Sequence, residues 1–176
     1  MISTGRPQAP LTMHKSSVDY RLYLVTDSSP QILGSRDLVD VVKRALVGGV
    51  TCVQLRDKHS SDEDVIALAK KLHGVTLEFA VPLLINDRVD VALAVGCEGV
   101  HIGQDDTGRP SLLSTPSEHQ YQHQQLTSYE DVATARQLLG PDAIIGVSAS
   151  TPAEALKACQ DGADYLGIGT IYATQT

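Results

Sequence analysis

Short apolar runs recur along this chain with helical patterns between them, and that alternation constrains the fold more than any other feature. The runs are RLYLVT (Arg21 to Thr26), VTCVQL (Val50 to Leu55), VPLLI (Val81 to Ile85), GVHI (Gly99 to Ile102), AIIGV (Ala143 to Val147) and YLGI (Tyr165 to Ile168). Between them apolar residues return at helical spacing, as in Leu38, Val41, Val42, Ala45 and Leu46, then in Val65, Ile66, Leu68, Ala69 and Leu72. Further helical patterns cover Val89 to Val95, Val132 to Leu139 and Pro152 to Gln160. Gly48-Gly49 and Gly96 end two of them, and Ser60-Ser61-Asp62-Glu63 marks a helix start with acids in its first turn.

Six strands alternating with five helices predict parallel pairing through right-handed crossovers. Several runs are apolar on both faces, as expected where helices cover one side and a packed interior fills the other. Polar residues collect at the carboxyl ends of the runs: Asp27, Arg56 and Lys58, Asn86 and Asp87, Gln104 to Asp106, Ser148 and Ser150, and Thr170. A (β/α)8 barrel of the TIM type builds its site in this way. The rival is an open doubly wound sheet, against which the lack of a GxGxxG after the first strand weighs. A full barrel requires two more strand-helix units, so the expected fold is an α/β barrel of about six βα units.

The stretch from Thr107 to Glu130 breaks the rhythm. It is rich in Ser, Thr, Gln, Pro and His, lacks apolar periodicity, and reads as an irregular insertion in a domain spanning residues 20–176. Residues 1–19 read as a disordered leader without the apolar core of a secretory signal, and Met13 offers a second start. Arg6 and Lys15, with no acid before Asp19, give only a faint organelle-targeting signature.

The formal charge of -7 argues against a nucleic-acid partner, and no apolar run is long enough to span a membrane. Anionic small molecules remain compatible with a local cluster of Arg and Lys. Cys52, Cys97 and Cys159 lie far apart, show no metal-ligand spacing, and are all expected to be buried small hydrophobes. That usage suits a reducing, cytoplasmic location.

Chemistry concentrates between Leu83 and Asp106. Two apolar runs there end in Asn86-Asp87 and in Gln104-Asp105-Asp106. On neighbouring parallel strands these carboxylates would meet at one sheet edge, with the hard oxygen ligands that suit Mg²⁺ beside substrate phosphates. One strand earlier, Arg56 and Lys58 place cations at the equivalent edge. Carboxylates for a metal and cations for phosphate suit work on a pyrophosphate.

Plainer readings exist for each residue. Arg56 and Lys58 could be a solvated strand end, Asp87 a helix N-cap, and Ser148 a turn residue. His101 sits inside a strand and is expected to be a hydrogen-bonded structural histidine. His119 and His123 have metal-like spacing but fall in the irregular stretch, where a solvated segment is expected.

Five motifs in order then acquire a family likeness. QLRDK at Gln54 to Lys58, INDRVDVAL at Ile85 to Leu93, GVHIGQDD at Gly99 to Asp106, GVSAST at Gly146 to Thr151 and DGADYLGIGTIYATQT at Asp161 to Thr176 resemble thiamine-phosphate synthases. The resemblance covers roughly Tyr20 to Asp106 and Asp131 to Thr176, and the YLVTDS opening looks most like fungal forms. Such forms are often fused to a hydroxyethylthiazole kinase. The resemblance implies a (β/α)8 barrel and a Mg²⁺-dependent transferase. That enzyme joins 4-amino-2-methyl-5-hydroxymethylpyrimidine pyrophosphate to 4-methyl-5-hydroxyethylthiazole phosphate in thiamine biosynthesis, releasing pyrophosphate.

Matched by motif, Gln54, Arg56, Lys58 and Asn86 would hold the pyrimidine pyrophosphate. Asp87 and Asp106 would bind Mg²⁺. Ser148 would touch the pyrophosphate, and Arg56, Lys58 and Ser148 would act in catalysis. Thr174 and Thr176 would belong to the loop receiving the thiazole phosphate and the pyrophosphate. The mechanism implied is dissociative, through a pyrimidine-methyl carbocation, and requires no general base. Self-association into a homo-oligomer is compatible with the sequence and not dictated by it.

Two departures from that family carry expectations of their own. Joining Asp106-Thr107 to Asp131-Val132 would restore a normal loop length, which suggests a retained intron or misjoined exon at 107–130. The chain also ends where the family continues into two more strands, which predicts open edges and poor catalysis by this chain alone. A catalytically dead truncated isoform or gene-model fragment is therefore the alternative. A thiazole tautomerase-like barrel is a third reading, opposed by QLRDK and the paired aspartates.

Overall fold

Helices connect successive strands along the chain in a computed structural model that describes residues 14–103 and 128–169. The strands are β1 Tyr23–Val25, β2 Cys52–Leu55, β3 Leu83–Asn86, β4 Gly99–Ile102, β5 Ile144–Ala149 and β6 Tyr165–Ile168. The helices are α1 Pro30–Leu33, α2 Leu38–Val47, α3 Asp62–Glu78, α4 Val89–Val95, α5 Ser128–Leu139 and α6 Pro152–Gln160.

Local chemistry sets most helix starts. Asp37 accepts hydrogen bonds from the Val39 and Asp40 amides at the head of α2, and Ser61 accepts from the Asp64 amide at the head of α3. A reciprocal pair, Thr151 with Glu154, opens α6 with Pro152 in its first turn. Gly96 closes α4 in the left-handed conformation, with φ of 71°. Two differences from the expected helices have simple causes. The apolar pattern in α3 fades after Leu72, yet the helix runs on to Glu78, where Thr76 is fully buried and its hydroxyl donates to the His73 carbonyl. The turn expected at Ser28-Ser29-Pro30 continues as the short helix α1, because Pro30 is preorganised for a first helical position.

The strands pair in chain order, β1-β2-β3-β4-β5-β6, and every pair is parallel. No reversal of order occurs, so the open doubly wound alternative, which needs a switch point, does not apply. The sheet is also curled. A flat sheet would hold β1 and β6 about 24 Å apart, five spacings of ~4.8 Å. Instead the hydroxyls of Tyr23 on β1 and Tyr165 on β6 lie 2.7 Å apart, a hydrogen bond across the hollow of a half-barrel. Among the described residues, six parallel strands with helices in their five connections form the curled half-barrel expected of an incomplete α/β barrel.

Curling divides the core in two. The outer core packs Val53, Leu55, Leu83, Ile85, Val100, Ile102, Ile145 and Val147 from the strands against helix residues such as Val42, Leu46, Leu72, Val91 and Val132. The inner core is small: Cys52, Leu84 and Ile144, with Val18, Tyr20, Tyr23 and Tyr165 packed on it. Tyr20 and Tyr165 stack with ring centroids 4.7 Å apart. Residues ahead of Tyr20 also pack on this inner core. Lys15–Ser17 form a short 3-10 turn, and Lys15 pairs with Asp164 at 2.9 Å, so residues 14–20 close the amino-terminal end of the hollow. Helix α5 likewise starts inside the stretch read as irregular, at Ser128. The expectations for residues 1–13 and 104–127, including His119 and His123, lie outside the described residues.

The cysteines do not share one environment. Cys52 is buried, Cys97 half-buried and Cys159 exposed, and all three are free thiols. Burial pushes the Cys52 and Cys97 thiols up to about 12. The expectation for Cys159 is corrected because it falls on the solvent side of α6, where Ala158 is the buried residue.

Candidate functional site

Side chains two residues apart on a strand share a face, so each strand places one or more polar groups above the inner core, toward its carboxyl end. Registers Gln54↔Leu84, Asn86↔His101, His101↔Gly146 and Gly146↔Tyr165 bring these groups to similar heights on the inner face. They form one continuous layer. Tyr23 donates to Gln54 Oε1 at 3.0 Å, and Gln54 Nε2 donates to Asn86 Oδ1 at 2.5 Å. Asn86 donates in turn to Asp87 Oδ2, and Asp87 Oδ1 accepts the Gly103 amide at 2.6 Å. On the other side Tyr165 joins Tyr23 to His101 Nδ1 at 2.9 Å, and His101 Nε2 meets Ser148 Oγ at 3.0 Å. All six strands thus feed one hydrogen-bonded network.

Two glycines make this layer possible. Gly146 lies between His101 and Tyr165 in the register, and a Cβ there would fall 2.0 Å from Tyr165 Cζ, so the missing side chain lets the phenol ring cross β5. A Cβ at Gly167 would sit 3.1 Å from His101 Cε1, so the imidazole rests on bare backbone.

The expected site residues fall as follows. Gln54 is buried in β2, and Arg56 and Lys58 follow that strand, half-buried and exposed respectively. The Arg56 amide is tied to the Thr26 hydroxyl at 3.0 Å, fixing the end of β2 against β1. The Asp27 carboxyl is held below its usual value by bonds from Ser29, with smaller help from the Arg56 and His59 charges. Asp87 is not an N-cap. Arg88 occupies that position, while Asp87 adopts a left-handed backbone with φ of 61° that turns its carboxylate toward Gly103 at the end of β4. Ser148 is a strand residue, not a turn. His101 is hydrogen-bonded, as expected, but to groups of this same layer. Asp106, Thr174 and Thr176 lie outside the described residues.

Tyr23, Tyr165 and Arg88 were not singled out in the sequence. Inward parity with Gln54 and His101 is the signal that could have found the tyrosines. Arg88 gives no such signal. It is buried, pairs with Asp62 at 3.0 Å, and donates to the Asp57 and Ser60 carbonyls, so it pins the loop that carries Lys58.

Burial pushes the His101 imidazole down to about 4 and holds both phenols above their ordinary value, so the ring is neutral and the phenols keep their protons at neutral pH. The sign for stability follows. The unfolded imidazole titrates near 6.5, so between 6.5 and about 4 the unfolded chain binds more protons. The contribution is complete above about pH 6.5 and is lost as pH falls toward 4, by up to about 3 kcal/mol. Urea titrations at pH 7 and pH 4.5 should show wild type losing about 2–3 kcal/mol more than a His101→Asn variant. Equal losses would remove His101 as the cause.

Among the described residues, no group of three or more His, Cys, Asp or Glu side chains could hold a metal. A cavity of about 680 Å³ opens at the opposite end of the strands, against Leu46, Val50, Leu77, Phe79, Val81 and Pro82, and none of the site residues lines it.

A parallel half-barrel with cations, a carboxylate and a polar hydrogen-bonded layer at the carboxyl ends of its strands defines an α/β-barrel protein with its polar groups gathered at that end. The chain belongs to the thiamine monophosphate synthase family, which matches residues 22–113 and 125–176. The gap in that match falls inside the stretch read as an insertion. The thiamine-phosphate synthase of Clostridium tetani is 43% identical over 164 residues, 93% of this chain and 66% of that protein. The probable thiamine biosynthetic bifunctional enzyme of Schizosaccharomyces pombe is 46% identical over 92% of this chain and 27% of its own length. Among solved structures, thiamine phosphate pyrophosphorylase from Pyrococcus furiosus superposes with a TM-score of 0.64 at 33% identity, covering 86% of this chain and 60% of that one. The chain spans just under two thirds of the bacterial relative's length.

Proposed function

We propose that the site serves thiamine phosphate synthesis, the condensation of the pyrimidine pyrophosphate with the thiazole phosphate. The observation that carries this reading is the Gln54–Asn86–Asp87 chain of hydrogen bonds at the carboxyl ends of β2 and β3, with Arg56 and Lys58 following directly on β2. Arg56 and Lys58 would bind the pyrophosphate and stabilise the charge it gains as its bond to the pyrimidine methyl carbon breaks. Gln54 and Asn86 would orient the donor, and Ser148 would contact it from β5.

Mg²⁺ is the proposed metal, held by Asp87 with Asp106. The Asp87 carboxylate is a hard oxygen donor suited to such a cation, and the Gly103 amide orients it. When bound, the ion would neutralise charge on the departing pyrophosphate. Thr174 and Thr176 are proposed for the acceptor's phosphate. A cytoplasmic location agrees with three free thiols, and no described helix is long and apolar enough to cross a membrane. Fusion of a longer form to a hydroxyethylthiazole kinase is also proposed; the match to a bifunctional thiamine biosynthetic enzyme of Schizosaccharomyces pombe supports a fusion without naming the second activity.

Thermal unfolding with Mg²⁺ and pyrophosphate tests the donor site. At ligand concentrations near a hundred times the dissociation constant, stabilisation should reach about 2.7 kcal/mol, and only when both are present. A midpoint that ignores the pair, or that responds to pyrophosphate equally well without Mg²⁺, would overturn the reading.

A further inference from the structure

The hydrogen-bonded layer has a direction, set by which atoms can donate. Asp87, as a carboxylate, only accepts, so Asn86 must turn its NH₂ toward it and its Oδ1 toward Gln54. Gln54 must then present its NH₂ to Asn86 and its Oε1 to Tyr23, which makes the Tyr23 hydroxyl a donor to Gln54. With that proton committed, the 2.7 Å bond between the phenols requires Tyr165 to donate to Tyr23. The Tyr165 oxygen therefore faces His101 Nδ1 as an acceptor, 2.9 Å away, and Nδ1 must carry the hydrogen. A neutral imidazole with its hydrogen on Nδ1 has a bare Nε2, and the 3.0 Å partner of Nε2 is the Ser148 hydroxyl.

We propose that Tyr165 is a positioning residue that holds His101 in the Nδ1–H tautomer, so that Ser148 donates its proton to Nε2 and meets the site as an acceptor of hydrogen bonds. The direction of one hydroxyl on β5 is thereby dictated from Asp87 at the end of β3, through the five side chains Asn86, Gln54, Tyr23, Tyr165 and His101. Packing supports this fixed arrangement. Gly146 admits the Tyr165 ring beside His101, with centroids 5.5 Å apart, and bare backbone at Gly167 supports the imidazole. Among neutral groups this bonding gives every contact of the relay one donor and one acceptor, whereas the other tautomer would leave two acceptors facing each other at Nδ1 unless Tyr165 withdrew its proton from Tyr23. The meaning for Ser148 rests on the proposed function: it would receive a substrate N–H and could donate to a pyrophosphate oxygen only by releasing His101.

Long-range ¹H–¹⁵N correlation spectra of the full chain with ¹⁵N-labelled histidine, at pH 7.5, read the tautomer without turnover. A His101→Asn variant assigns the resonance. Wild type should show protonated Nδ1 and bare Nε2. Tyr165→Phe removes the acceptor at Nδ1 and should move the hydrogen to Nε2. Tyr23→Phe frees the Tyr165 proton to point at Nδ1, so it should raise the Nε2–H population and decides the matter if Tyr165→Phe does not fold. Wild type in the Nε2–H form, or a folded phenylalanine variant with an unchanged tautomer, would overturn the proposal. The expected tautomers together with no Mg²⁺–pyrophosphate response would instead sink the functional reading and leave the relay standing.

Discussion

Gly99→Ala is expected to cost more than about 3 kcal/mol, a large fraction of the stability of an ordinary domain. Gly99 pairs with Ile144 in the register of β4 and β5, at the centre of the sheet. A Cβ built there lies 1.8 Å from the Ile144 carbonyl oxygen, 2.7 Å from its carbon and 2.8 Å from its nitrogen. All three are backbone atoms, so no rotamer change relieves the overlap. The two strands must separate or shift, which breaks their pairing and opens the inner core where Ile144 is fully buried. Gly74→Ala is the control: it lies in α3 with no atom within 4 Å of its added methyl, and should be neutral or stabilising by up to about 1 kcal/mol. Urea unfolding of both variants checks the pair. Gly99→Ala melting beside wild type would mean that β4 and β5 do not approach this closely.

Asp87→Asn should abolish the joint effect of Mg²⁺ and pyrophosphate on the melting midpoint and cut any turnover by about a hundredfold or more. Asparagine tolerates the left-handed backbone that position 87 adopts, so the variant should stay folded where Asp87→Ala would add strain of ~1 kcal/mol. The carbonyl oxygen of the new amide can still accept the Gly103 amide. Its NH₂, however, would face the Asn86 NH₂, which must then turn over. The variant thus removes the charge for the metal and the anchor of the relay together. Unaltered ligand response in a folded Asp87→Asn protein would show that the carboxylate holds no metal.

Much of the architecture was legible because its signals are local. Strand runs, helical spacing and glycine stops needed only a few neighbouring residues each, and all six strands and five of the six helices fell where those signals placed them. The exceptions have local reasons too. Helix α1 is a single turn hidden inside a turn signature, and the last six residues of α3 continue past the apolar pattern. Exposure of Cys159 was misread because a cysteine beside buried residues on a short helix can face either way.

The candidate site was half legible. Arg56, Lys58, Asn86 and Asp87 stood out because charged and amide groups at the carboxyl end of an apolar strand have no other evident place in a barrel. Tyr23 and Tyr165 did not stand out, since a tyrosine in a strand reads as ordinary core. Arg88 was hidden because its partners, Asp57, Ser60 and Asp62, come from another loop.

The sequence alone determined that the chain alternates strand and helix, that its strands run parallel, and which polar residues sit at their carboxyl ends. Side-chain parity and helical periodicity follow from backbone geometry a few residues long. Only the tertiary structure decided how far the sheet curls, and with it that residues 142 apart in the chain, Tyr23 and Tyr165, share a hydrogen bond. Curl accumulates from the small twist between each pair of strands and from the packing of every helix on the outer face. No single stretch of sequence carries it, and the direction of the relay that depends on it became readable only once the two edges of the sheet had met.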